Sequence, residues 1–342
     1  MQGLQNLIRS IEEMAYEPEA TLPASELDLL LYSPCPVKLL VKAAVDRIAE
    51  QYQARGRTLG IHIPMGCTSI DPYDPVCDET DPDKLPSVIA SIGFGDFWKT
   101  EFADRFVKTG LFEAVLPEEI HPLHRRAGLV DPNGHYTLYG VTPYIFLVDL
   151  KRLGDRPVPR VWSDLFSPEY KGEIVMCGDG DDMADAVLLN LYREHGRDGM
   201  KKLAANVGAI MHSAQMAQAA GTNDPNARAI FLIPYFFAVG TKQPDHVRMI
   251  WPEDGAAASP LYFLAKKSER TALADLVRFF TRGFAAIDSA GTFLPVGGTL
   301  PDDLPPNATL KWIGWDFIDT HDVNRLRNQL NDEFREMQRA AL

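Results

Sequence analysis

Short apolar runs separated by segments of helical period constrain this chain more than any other feature. Residues 27–32 read LDLLLY, too short for a buried helix and without the polar alternation of a half-exposed strand. The run predicts a strand covered on both faces, as in a parallel sheet. Ser33-Pro34-Cys35-Pro36 then breaks it, and Val37, Leu40, Val41, Ala44 and Ile48 recur at helical spacing. Pro36 suits a first helical turn, where its missing N–H costs nothing. The alternation continues with strands at 59–65 and 87–92, separated by a Pro/Asp-rich loop over 66–86, and a long β segment at 136–150. Further strands are expected at 172–176, 207–211, 229–233, 247–251 and 261–265. Helices are expected at 184–192, 272–280 and 322–340, the last with Val323, Leu326, Leu330, Phe334 and Met337 on one face.

At 342 residues such an α/β chain outgrows a single core and predicts two lobes. Asp and Glu number 47 against 34 Lys and Arg, a formal charge of -13. That balance repels phosphate backbones and speaks against a nucleic-acid partner. No apolar run approaches the ~20 residues of a membrane span. The opening stretch 1–16 has Leu4, Leu7, Ile8 and Ile11 on one helical face. It lacks the basic start, apolar stretch and small-residue cleavage site of a secretory signal, so the expected address is cytoplasmic unless a signal has been removed.

The stretch Trp162-Ser163-Asp164-Leu165-Phe166-Ser167-Pro168-Glu169-Tyr170-Lys171-Gly172-Glu173-Ile174 resembles a segment of the solute-binding proteins of ABC importers. That segment is W-x-D-L-x-x-P-x-x-K-G-x-I, in the ferric-iron, polyamine and phosphonate group. Tyr32-Ser33-Pro34 is similar to the family's first ligand loop, and Ile250-Trp251-Pro252-Glu253-Asp254-Gly255-Ala256 to its P-x-E-G-A segment. These segments occur in the family's order over residues 26–285. The resemblance implies a two-lobed type II periplasmic-binding fold with a central ligand cleft that closes by a hinge. Lobe 1 would be residues 26–145 and 256–342, lobe 2 residues 146–255, and residues 1–25 an amphipathic helical extension. It further implies a monomer that captures a small molecule or metal ion, a permease partner and a periplasmic address. No nucleophile elbow, P-loop or HExxH motif is present. The alternative is a cytoplasmic enzyme or ligand sensor on the same fold, using a Cys/His-lined cleft.

Candidate site residues fall where strands end, since ligands of open α/β sheets sit beyond the carboxyl ends of strands. Cys35, Cys67 and Cys177 each follow a strand, as does His212, and together they form a candidate metal set for Zn, Cu(I) or Fe. The opposing reading is that small thiols fill strand ends as apolar groups. Asp179, Asp181 and Asp182 precede a helix, where they either cap it or, with Asp254, face a cation. Trp98 is a candidate aromatic wall for such a cation. Cys67, Thr68 and Ser69 form a small-residue loop suited to an anion, and Asp96 lies on a second such loop. Ser33 and Tyr235 enter through the resemblance. Ferric-binding members carry adjacent tyrosines where this chain has Tyr235-Phe236-Phe237, which leaves a single phenol.

Overall fold

Ten strands and four longer helices carry the chain in a computed structural model that describes residues 22–65, 71–178, 184–241 and 245–341. The strands are β1 (Leu29–Leu31), β2 (Ile61–His62), β3 (Val88–Ile92), β4 (Thr137–Asp149), β5 (Ile174–Cys177), β6 (Val207–Met211), β7 (Ile230–Pro234), β8 (Val247–Ile250), β9 (Ala256–Ala265) and β10 (Leu310–Lys311). The helices are α1 (Lys38–Ala54), α2 (Asp185–Asn206), α3 (Ala274–Thr281) and α4 (Val323–Ala341). The chain divides into two compact units. The first is Met1–His121, Val130–Val141 and Pro260–Leu300; the second is Pro122–Leu129, Thr142–Ser259 and Pro301–Leu342.

In the first unit β1 lies between β2 and β3, parallel to both, with Leu29 in register with Ile61 and Val88. β9 adds antiparallel to β3, from Val88↔Ala265 to Ile92↔Leu261. All three leucines of β1 are buried, as the uninterrupted apolar run requires. The expected second strand shrinks to Ile61–His62, since Pro64 has no N–H to extend the ladder. On α1 the buried stripe is Val41, Val45 and Tyr52, while Leu40, expected inside, is 42% exposed. An aromatic cluster fills the interior. The Trp98 indole stacks on Tyr136 at 4.1 Å, with Tyr262 edge-on at 4.9 Å.

The second unit orders its strands β4-β7-β5-β6, with β7 antiparallel to β4 and parallel to β5. The W-x-D-L segment turns out to be scaffold. Trp162 packs edge-on against Phe146 at 4.8 Å, and its indole N–H donates to the Gly255 carbonyl at 2.8 Å. The Asp164 carboxylate accepts from the Arg160 and Val161 N–H groups. α2 runs through a break at Gly196, whose φ of 59° only glycine adopts without cost.

The expected division assigned 256–342 to the first lobe, whereas Pro301–Leu342 groups with the second unit. The physical reason is α4. Val323, Leu330 and Phe334 are buried, and Arg197 of α2 holds Glu333 of α4 through two hydrogen bonds of 2.8 Å. The Gln338 amide also donates to the Val207 carbonyl at 3.3 Å. Two of the crossings fall at 141/142 and 259/260, inside β4 and β9, where 145/146 and 255/256 were expected. Most of the expected extension over residues 1–25 lies outside the described residues; its end begins the short turn Ala24–Glu26.

Candidate functional site

In the first unit the carboxyl end of β1 delivers the chain directly to the start of α1. The Tyr32 N–H still pairs with the Ala90 carbonyl at 2.9 Å, after which Ser33 leaves the ladder. Pro34 and Pro36 flank Cys35, and the tight turn Cys35–Val37 leads into α1. Val37 occupies the N-cap position and has no side-chain oxygen, so no side chain caps the helix. Beside this start the Ser33 side chain is 4% exposed, and its hydroxyl has no hydrogen-bond partner among the described residues. A buried hydroxyl of this kind costs about 1–3 kcal/mol unless something pairs with it. Cys35 is half-buried at the first position of the turn.

Around this end the other polar groups are engaged. His62 Nε2 lies 2.7 Å from Asp71 Oδ2, and the Tyr32 phenol lies 3.5 Å from Asp74. Burial, with Asp71 and Asp74 adding to it, pushes the Tyr32 phenol far above its ordinary range. Asp96 is exposed, with its carboxylate 3.9 Å from Lys99 Nζ. Trp98 is buried and donates its indole N–H to the Gly93 carbonyl at 3.0 Å, so its ring belongs to the aromatic core. Cys67, Thr68 and Ser69 lie outside the described residues.

In the second unit Tyr235 stands just past β7, with its ring buried. Its hydroxyl donates to Asp303 Oδ1 at 3.2 Å, and the Trp251 ring meets it edge-on at 5.6 Å. Burial, followed by the Asp303 charge, leaves the phenol pushed up to about 12. Trp251 itself donates to the Thr309 carbonyl at 2.8 Å. His212 is exposed and N-caps the helix Ser213–Ala219, its Nδ1 accepting from the Ala214 N–H at 3.2 Å. Asp254 pairs with Lys311 at 3.1 Å and accepts from the Trp162 N–H at 3.3 Å. Lys311 also holds Glu194 at 2.8 Å. Cys177 is buried at the last position of β5. Asp179, Asp181 and Asp182 lie outside the described residues.

Of the expected metal set, Cys35 is in the first unit, Cys177 and His212 are in the second, and Cys67 is outside the described residues. Among the described residues no group of three or more His, Cys, Asp or Glu side chains is placed to hold a metal ion. Asp303 and Lys311 were not foreseen from the sequence. Each lies tens of residues from its partner and belongs to no motif.

The profile of the bacterial extracellular solute-binding proteins matches residues 83–321. Among solved structures, the periplasmic binding protein AfuA from Actinobacillus pleuropneumoniae, with exogenous fructose-6-phosphate bound, is 18% identical with a TM-score of 0.60, covering 92% of this chain and 98% of that one. The Bordetella ferric binding protein is 14% identical at 0.59, covering 91% and 99%. Trichodesmium FutA, in complex with iron and citrate, is 12% identical at 0.59, covering 90% and 99%. At such identities the likeness establishes the type II periplasmic-binding fold and nothing finer. No curated protein sequence matches the chain. No helix among the described residues is long and apolar enough to cross a membrane.

Proposed function

Because the chain belongs to the bacterial extracellular solute-binding protein family, which captures solutes for ABC-type uptake, we propose that its solute presents an anionic oxygen group to Ser33 at the start of α1. The observation that carries this reading is the buried Ser33 hydroxyl without a partner, next to a helix start that no side chain caps. The helix dipole favours negative charge there, and the hydroxyl adds a donor. The ligands of two structural neighbours fit the same chemistry, since fructose-6-phosphate and citrate both carry anionic oxygens. The protein works as a monomer that hands this solute to an ABC permease.

Ferric iron held by phenolate is the weaker alternative. The one phenol available past β7 already donates to Asp303 and holds its proton tightly. An enzyme or sensor on the same fold is not favoured by the family match. The test is a thermal-shift panel of sugar phosphates, di- and tricarboxylates, polyamines and ferric or divalent ions. A ligand that binds only the folded protein raises Tm. The reading requires an oxyanion to give the shift and Ser33→Ala to weaken its binding about tenfold or more, as loss of a hydrogen bond to a charged group does. A shift confined to cations would overturn it.

A further inference from the structure

Cys77 lies in the short turn Asp74–Asp78 of the first unit and is only 4% exposed. Its thiol donates to the Asp74 carbonyl at 3.1 Å, and its sulfur accepts a hydrogen bond from Lys99 Nζ, also at 3.1 Å. On its other side the Lys99 ammonium pairs with Asp78 Oδ1 at 2.8 Å. A sulfur nucleophile and a primary amine therefore meet across one contact, with a carboxylate behind the amine. The Lys99 side chain keeps 26% of its surface in solvent, which gives small solutes a route to the pair. Neither group takes part in the solute reading above.

We propose that Cys77 and Lys99 form a covalent modification site, joined by a sulfur–nitrogen bond when a peroxide-class oxidant reaches them. In the first step the sulfur attacks a peroxide oxygen. The O–O bond breaks, the thiol is oxidised by two electrons to a sulfenic acid, and the peroxide is reduced to water. In the second step the Lys99 amine, its proton passed to solvent by way of Asp78, attacks the sulfenyl sulfur. The S–N bond forms, the S–O bond breaks, and the departing hydroxide leaves as water, as in known condensations of sulfenic acids with nitrogen. One thiol, one amine and one hydrogen peroxide thus give one sulfenamide and two waters.

Burial holds the Cys77 thiol above its ordinary range, and the Lys99 hydrogen bond offsets only part of that. Burial works to lower Lys99, but its contacts with Asp78 and Cys77 outweigh that and hold the ammonium charged. An extracellular setting, as the family has, lacks the thiol pool that keeps cytosolic cysteines reduced. The bridge would tie the loop carrying Asp71 and Asp74, partners of His62 and Tyr32, to the segment after β3.

Treating the full chain with hydrogen peroxide and mapping its peptides by mass spectrometry tests the site. The expected product is a pair of peptides holding Cys77 and Lys99, lighter by two hydrogens than their sum and separated again by a thiol reductant. Lys99→Arg keeps a cation beside the sulfur but has no primary amine. It should lose the linked pair completely and accumulate sulfinic or sulfonic acid at Cys77, while Cys77→Ser should show neither product. Thermal melts of both variants check that they fold. The proposal fails if the folded wild type and Lys99→Arg give the same over-oxidised Cys77 with the Lys99 peptide unmodified. It also fails if Cys77 stays reduced throughout.

Discussion

The two units treat the polar groups at their strand ends differently. Past β6, β7 and β8 in the second unit, three described candidates each have a partner inside their own scaffold. The Tyr235 hydroxyl is held by Asp303, His212 caps its own helix, and Asp254 is paired with Lys311. Past β1 in the first unit, a buried hydroxyl is left without such a partner among the described residues, beside a helix start that no side chain caps. Groups that are satisfied internally hold a fold together, whereas a buried donor left unpaired costs stability and persists most readily where a ligand will pair with it. That contrast is why Ser33, rather than Tyr235, anchors the proposed solute site.

The contrast can be broken or sharpened by substitution, beginning with the scaffold of the second unit. Phe334→Ala removes a fully buried ring from α4 and should cost about 3–5 kcal/mol in denaturant unfolding. A loss under about 1 kcal/mol would mean that α4 does not build that unit's core. Ser33→Ala comes next and should act in opposite directions on two measurements. Without solute it should raise stability by about 1 kcal/mol, because an unsatisfied buried hydroxyl is removed, while solute affinity falls as stated above. A variant less stable than wild type when ligand-free would show that the hydroxyl already has a partner.

Tyr235→Phe should cost about 1 kcal/mol through the lost hydrogen bond to Asp303 and leave solute affinity unchanged in calorimetric titration. A large loss of affinity would move the site to the second unit. The smallest effect is expected from Glu333→Gln. The hydrogen bond from Arg197 holds the Glu333 carboxyl below its usual range, so its folded-state value is depressed. The stabilisation is then present above the unfolded glutamate value, about pH 4.3, and is lost as pH falls through the folded one. Wild type should exceed the variant slightly in Tm near neutrality and converge with it in acid.

Much of the fold was legible because burial on both faces of a sheet writes itself as an apolar run. β3, β4, β6 and β7 lie within a residue or two of their expected places. The face of α1 was misread because Leu40 and Val41 both fit a helical stripe, and packing alone put Val41 inside and Leu40 out. The terminal helix was legible as a helix but not as part of the second unit. Amphipathic spacing says that a face must be covered and leaves open what covers it. For the site, the sequence placed Ser33, His212 and Tyr235 at strand ends, and there they stand.

The sequence alone therefore determined which segments become strands and helices and which residues follow them, because both depend on periodicity and on neighbours along the chain. Only the tertiary structure decided which of those residues are already partnered. Asp303 reaches Tyr235 and Lys99 reaches Cys77 through contacts between segments far apart in sequence. A hydrogen bond depends on distance and direction in space, and no local pattern encodes either.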